Sequence, residues 1–232
     1  MKINDENKKH SLEEVKFVLY FHPKEDIREK VGKILIEKCK KNGYYEYLKE
    51  LVEDEYIPKI IRIKAADVVI EDSAKRGFYD YLKVLTRNKK IPEEIRINAG
   101  NKIVKEYLKY NMFHSLIEII IDETVPAYIR NFAGDEVVKK YVEEGWFDCL
   151  LVLSENEKVP EYVRKKANKC LVETAERAIK SYCEKKDYSS IIGLMRSDEI
   201  PEYLKEIARK KINEEVERLA NELFTDHYSL KS

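Results

Sequence analysis

The chain contains no glutamine, and among its 232 residues it has only one tryptophan, three methionines and four cysteines with no C-x-x-C pair. Structural zinc sites and dithiol redox motifs need closely spaced cysteines. Cys39, Cys149, Cys170 and Cys183 therefore read as reduced, mostly buried thiols, and no metal or cofactor is expected. Net charge is lacking too, since 44 basic side chains balance 44 acidic ones. That balance removes any global attraction to nucleic acid or anionic lipid, and such binding would need a local patch. No apolar run approaches ~18 residues, and the opening MKINDENKKH has no signal-peptide core, so a soluble cytoplasmic protein is expected. There is no Gly-rich phosphate loop, no H-E-x-x-H run and no nucleophile elbow. Paired carboxylates occur everywhere, which makes any single pair uninformative. The expectation is a protein without catalytic activity.

What is present is charge and periodicity. Charged residues make up 38% of the chain, and Lys, Glu and Ile are abundant. With glutamine missing, this resembles the composition of hyperthermophile proteins such as those of archaea, in which ion-pair networks expand and thermolabile amides shrink. The six prolines are Pro23, Pro58, Pro92, Pro126, Pro160 and Pro201, spaced by 35, 34, 34, 34 and 41 residues. A fixed period in this range is the signature of a helical array in which each unit packs on its neighbours.

The units align in columns. Four residues after each proline from Pro58 onward stands a basic side chain, Arg62, Arg96, Arg130, Arg164 or Lys205, and Arg28 answers to it in the first unit. Ile61, Ile95, Ile129, Val163 and Leu204 precede that column. Ala65, Ala99, Ala133, Ala167 and Ala208 follow it by three, and Val69, Ile103, Val137, Leu171 and Ile212 by seven. Steps of four and four line one face of an α-helix, and proline suits its first position because the missing N–H would be unpaired there anyway. Gly43, Gly77, Asn111 and Gly145 are residue types that end helices in the left-handed conformation.

A second, shorter helix follows each stop. Its buried face reads Tyr45, Leu48, Leu51, then Tyr79, Leu82, Leu85, then Phe113, Leu116, Ile119, then Phe147, Leu150, Leu153. Asp54, Asn88, Asp122 and Asn156, each four residues ahead of a proline, mark turns. Seven additional residues within ETAERAIKSYCEKKDY lengthen the first helix of the fifth unit, by ~10 Å. This Thr174–Lys186 extension is either a packed helix or an added contact element, with Tyr182 and Cys183 as anchors. Residues 1–10 read as a polar leader, and Ser11 with Glu14 as a capping box before a single capping helix.

The IR-x-x-A core, the glycine turn and the closing L-x-x-L with Asp or Asn resemble HEAT repeats of the short HEAT-like type, over roughly residues 22–224. Tetratricopeptide and pentatricopeptide repeats share a period of ~34. The tetratricopeptide pattern wants a Trp-Leu-Gly run and small residues in both helices. Here the second helices carry large Tyr, Phe, Leu and Ile, and proline opens the longer helix. The resemblance implies an all-α fold, a right-handed α-α superhelix of the armadillo/HEAT type, as a single domain over 1–232. Residues 1–21 are the leader and N-terminal capping helix, 22–200 five repeats of about 34 residues, and 201–232 a closing helix, from Pro201 to about Phe224, and tail.

Two readings of the basic column compete, a phosphate-binding track and a structural ladder of Arg28, Arg62, Arg96, Arg130 and Arg164. The ladder is preferred, because each member sits beside a core residue in the first helical turn, where long stems pack and heads reach loops. The outward face of the second helices, which by resemblance lines a concave groove, is the candidate binding surface. Around the buried leucines its positions are Glu46, Glu50 and Glu53; Asp80, Val84 and Arg87; His114, Glu118 and Ile121; Asp148, Val152 and Glu155; Ser189, Gly193 and Arg196. Seven acids against two bases suit a basic or mixed-charge protein segment rather than a phosphate backbone, with Tyr47, Tyr81, Val84, Ile121 and Val152 as apolar anchors. The competing reading is a merely solvated face.

Some HEAT-like DNA glycosylases pair tryptophans with a catalytic Asp, and Trp146 is followed by Asp148. Trp146 falls in the column of Tyr44, Phe78 and Met112, however, read as an apolar packing position in the core. HEAT-like iron hydroxylases rely on H-E pairs, which His10, His22, His114 and His227 do not form. Neither activity is implied. The expected function is a protein–protein interaction scaffold, monomeric or weakly self-associating. The alternative is a nucleic-acid-binding or glycosylase-like protein using the Lys-rich first helix with Lys30, Lys33, Lys38, Lys40 and Lys41.

Overall fold

The computed structural model describes residues 12–197 and 200–229, which form twelve α-helices and no strand. The leader and the Ser11 end of the capping box lie outside the described residues. After α1 (Leu12–Phe21), long and short helices alternate. The long ones are α2 (Glu25–Asn42), α4 (Lys59–Arg76), α6 (Glu93–Lys109) and α8 (Ala127–Glu144), and the short ones α3 (Tyr45–Glu53), α5 (Tyr79–Arg87), α7 (Phe113–Ile121) and α9 (Phe147–Glu155). α10 (Glu161–Glu184) has 24 residues against 18 in α4, followed by α11 (Tyr188–Arg196) and α12 (Glu202–Ser229), which runs past Phe224. The chain divides into two compact units, Met1–Val137 and Val138–Ser232. No described helix is long and apolar enough to cross a membrane.

The same turn chemistry closes the long helices. Gly43, Gly77 and Gly145 have φ of 72°, 73° and 73°, and Asn111 has 54°. The next residue turns its N–H back into the helix: Tyr44 to the Cys39 carbonyl (2.9 Å), Phe78 to Ser73 (2.8 Å), Met112 to Tyr107 (2.8 Å) and Trp146 to Tyr141 (2.8 Å). Such bonds occupy carbonyls that the helix end leaves open. α10 stops in the same way at Lys186, with φ of 57° and a bond from Asp187 N–H to the Tyr182 carbonyl (2.9 Å). No glycine or asparagine announces that stop.

The prolines stand one position earlier than expected. Pro58, Pro92 and Pro160 are N-cap residues with extended ψ of 133°, 140° and 137°, and the helices begin at the residue after. The physical reason is the fixed proline φ, compatible with the cap, while its carbonyl accepts the first helical N–H: Arg62 bonds Pro58 at 3.1 Å and Arg96 bonds Pro92 at 3.2 Å. The turn before the proline is held by a side chain. Asp54, Asn88, Asp122 and Asn156 accept the N–H two residues on, from Tyr56, Lys90, Thr124 and Lys158, at 2.9–3.0 Å.

Within the first unit α4 packs against α2 and α6 on either side and against α3 and α5. Asn98 reaches Asp67 (2.7 Å) and Lys102 reaches Glu71 (3.0 Å), so α6 and α4 run parallel and in register. The isoleucine, alanine and valine columns are buried, as are Leu48, Leu51, Leu82, Leu85, Leu116 and Ile119. Each such Leu or Ile contributes about 1.5–3 kcal/mol relative to exposure. The buried arc is wider than one face, because each inner long helix has a neighbour on both sides: Ala66, Ile70, Gly100 and Val104 are enclosed too. In the short helices Val52, Thr86 and Ile120 join the core.

In the second unit α10 packs against α9, α11 and α12. Leu150, Leu153, Val163, Ala167, Leu171, Ile179, Ile191 and Ala208 are buried. α11 has a side-chain N-cap, Asp187 accepting Ser190 N–H (3.2 Å) and the hydroxyls of Ser189 (2.8 Å) and Ser190 (2.6 Å). These bonds, the Ser190 hydroxyl's first, hold the Asp187 carboxyl below its ordinary pKa.

Candidate functional site

The arginines point to backbone. Arg62, only 7% exposed, donates from Nε to the Val52 carbonyl (3.0 Å) and from Nη2 to that of Lys90 (3.4 Å). Arg96 does the same to Thr86 (3.0 Å) and Thr124 (2.8 Å), and Arg130 Nε donates to Ile120 (2.8 Å). Val52, Thr86 and Ile120 lie in the last turn of a short helix, while Lys90 and Thr124 lie in the loop one step further along. Each of Arg62 and Arg96 therefore ties the start of its own helix to the end of the preceding short helix and to the loop after the following one, a task suited to the planar fork of guanidinium. Arg28 and Arg164 keep a buried Nε with no hydrogen-bond partner. Lys205 lies 3.8 Å from Glu202.

The outward positions of α3, α5 and α7 come together on the first unit, linked by long side chains. Lys16 pairs with Glu50 (3.4 Å), Lys49 with Glu46 (2.7 Å) and Lys83 with Glu118 (3.4 Å). Arg87 lies 2.6 Å from Asp122 and His114 3.5 Å from Glu118. Glu53 and Asp80 are exposed, Ile121 is half-buried, and Val84 is 52% exposed between the Glu50 and Glu118 positions. The face is thus less acidic than its own helical positions suggest, because Lys16, Lys49 and Lys83 reach across it from neighbouring positions.

Tyr47 and Tyr81 are not open anchors. The ammonium of Lys16 sits 4.9 Å from the Tyr47 ring centroid and that of Lys49 4.5 Å from Tyr81, and both phenol oxygens are buried without a hydrogen-bond partner. Burial, reinforced by nearby acids, pushes both phenols well above their ordinary pKa. The lysine–ring contacts had no sequence signal beyond the lysine spacing, since pairing them needs the distance between successive short helices.

On the second unit, Asp148 and Val152 are exposed on α9, Val152 to 66%. The extension of α10 forms, with α12, a cleft of about 810 Å³ whose walls include Ile179, Lys180, Cys183, Lys211, Glu214 and Arg218. Burial raises the Cys183 thiol pKa. Trp146 corrects another expectation. It is 41% exposed, its ring 5.7 Å from Tyr141, and Tyr44, Phe78 and Met112 are 47%, 51% and 36% exposed. These residues stand at the N-cap positions of the short helices, where part of each side chain stays in solvent.

Among the described residues no group of three His, Cys, Asp or Glu side chains is placed to hold a metal ion. Compared with known proteins, the chain matches no family model, no curated protein and no solved structure.

Proposed function

We propose that the chain is a HEAT-like α-solenoid of five helix pairs, closed by single helices, that works as a rigid, non-catalytic scaffold for a protein partner. The partner lies across the outward face of α3, α5 and α7. The observation that carries this reading is the contrast between frame and face. Arginine bridges, left-handed stops and Asx turns recur at 34-residue steps with the same geometry. The side chains at equivalent outward positions change from Glu50 to Val84 to Glu118. A constant frame that presents a varying surface is preorganised for one partner, at little ordering cost on binding. Mixed charge with Val84 exposed at its centre suits a basic or mixed-charge segment.

The test is capture from a lysate of the source organism, treated with nuclease, using the wild type and a variant carrying Glu46→Lys, Glu50→Lys and Glu53→Lys. A partner retained by the wild type and lost by the variant supports the reading, provided both melt at about the same temperature, since exposed ion pairs contribute only about 0–1 kcal/mol each. A partner held equally by both would remove the face from the site, and one lost only on nuclease treatment would favour nucleic acid.

A further inference from the structure

One edge of the first unit carries a second surface. Because α2, α4 and α6 pack side by side, and Asn98–Asp67 fixes α6 and α4 in register, the turns that close them line up along one edge. Each turn presents an apolar side chain to solvent, Tyr44, Phe78 and Met112, at 47%, 51% and 36% exposure. Their place in the fold does not call for such exposure, since α11 is capped there by Asp187. Cations flank the row. Among the described residues no carboxylate pairs with exposed Lys40, Lys41 or Lys75, while on the acidic side Glu46 is taken by Lys49 and Asp80 is exposed.

We propose that this edge binds an acidic, proline-rich segment of a protein partner in the polyproline II conformation. This rests on the proposed protein-binding role but uses a separate surface. The period supports it. Packed helices stand about 8–10 Å apart, and a polyproline II chain turns once in three residues of about 3.1 Å, so every third residue returns to the same face after about 9 Å. Successive prolines therefore meet successive aromatic or Met side chains. The conformation is populated before binding, so little entropy is lost, and its solvated carbonyls can accept from the Tyr44 hydroxyl. Carboxylates at the third position of each turn would meet Lys40, Lys41 and Lys75.

The test is fluorescence anisotropy on the full chain with labelled twelve-residue probes of four repeated triplets, Pro-Pro-Glu, Gly-Ser-Glu or Pro-Pro-Lys, and a single-stranded thymidine oligonucleotide. The expected result is that Pro-Pro-Glu binds about tenfold more tightly than each of the others. Tyr44→Ala with Phe78→Ala, or Lys40→Glu with Lys75→Glu, weakens it about tenfold with an unchanged Tm. Equal binding of Pro-Pro-Glu and Gly-Ser-Glu would reduce the edge to a charge effect and overturn the proposal. So would tighter binding of the oligonucleotide, no binding at all, or indifference to both variants. The two proposals fail separately, because Tyr44, Phe78, Lys40 and Lys75 lie outside the Glu50, Val84 and Glu118 positions of the outward face, and Glu50→Lys with Glu53→Lys leaves this edge intact.

Discussion

Ile61 of α4 lies directly on Gly32 of α2: a Cβ at Gly32 would stand 2.7 Å from the Ile61 side chain. Ile129 of α8 meets Gly100 of α6 in the same way, also at 2.7 Å, and between them Ala66 occupies the equivalent place in α4. The close approach of successive long helices is set here. Gly100→Ala gains helix propensity of about 1 kcal/mol but drives a methyl into a buried, branched side chain, at about 1–3 kcal/mol. The expected net effect is a loss of about 1 kcal/mol, read as a lower urea midpoint at constant m-value, and Gly100→Val should lose more. A stabilised Gly100→Ala would show that Ile129 yields freely.

That small-residue column of Gly32, Ala66 and Gly100 is visible in the sequence, but its role is not. It lies one position after the alanine column and adds nothing to a one-sided helical pattern, and its meaning depends on a neighbour 29 residues away. The turns were legible, because Gly43, Gly77, Asn111 and Gly145 carry a backbone preference that needs no partner. The outward face was legible only in direction. A helical wheel places Tyr47 and Tyr81 correctly on their helices, yet it carries no information on how far Lys16 and Lys49 extend from the next ones.

Arg96 and Arg28 occupy equivalent places, but the Nε that Arg96 donates to Thr86 has no counterpart bond in Arg28, which makes them a matched pair. Arg96→Ala leaves the Thr86 and Thr124 carbonyls without their charged donor and should cost about 2 kcal/mol. Arg96→Lys recovers little, because one ammonium does not span both carbonyls. Arg28→Ala, whose Nε has no partner to lose, should cost clearly less. Equal losses in urea unfolding would assign the stabilisation to the arginine stem and not to the bridge.

Asp122 links a turn to an ion pair, and pH separates the two. Burial alone would raise its pKa, but Thr124, through its hydroxyl (2.6 Å) and N–H (2.9 Å), and Arg87 outweigh that and hold the carboxyl below its ordinary value. A depressed folded pKa contributes stability above the unfolded value, about 3.9, that is lost as pH falls through the folded one. In Asp122→Asn the amide keeps the turn, as Asn88 and Asn156 do, and loses the pair with Arg87. The variant should be less stable by about 0.5–1 kcal/mol near neutral pH, and the difference should shrink as pH falls below the unfolded value and through the folded one. A constant difference across a pH series of urea titrations would place the effect in turn geometry instead.

Lys186 holds a left-handed backbone, φ of 57°, at the stop of the longest helix before α12, where Gly43, Gly77 and Gly145 serve the shorter ones. A Cβ is strained in that region, and glycine is not. The bonds that close the turn, Lys186 N–H to the Cys183 carbonyl (3.0 Å) and Asp187 N–H to Tyr182 (2.9 Å), come from the backbone and survive substitution. Lys186→Gly removes the strain but frees the unfolded chain, and at left-handed positions the first effect exceeds the second. The expected gain is about 0.5–1 kcal/mol, seen as a Tm rise of a few degrees in calorimetry. Lys186→Ala, which keeps the Cβ and removes only the charged stem, is the control and should show no gain. If both variants rise together, relief of the repulsion between Lys185 and Lys186, and not the backbone, is the cause.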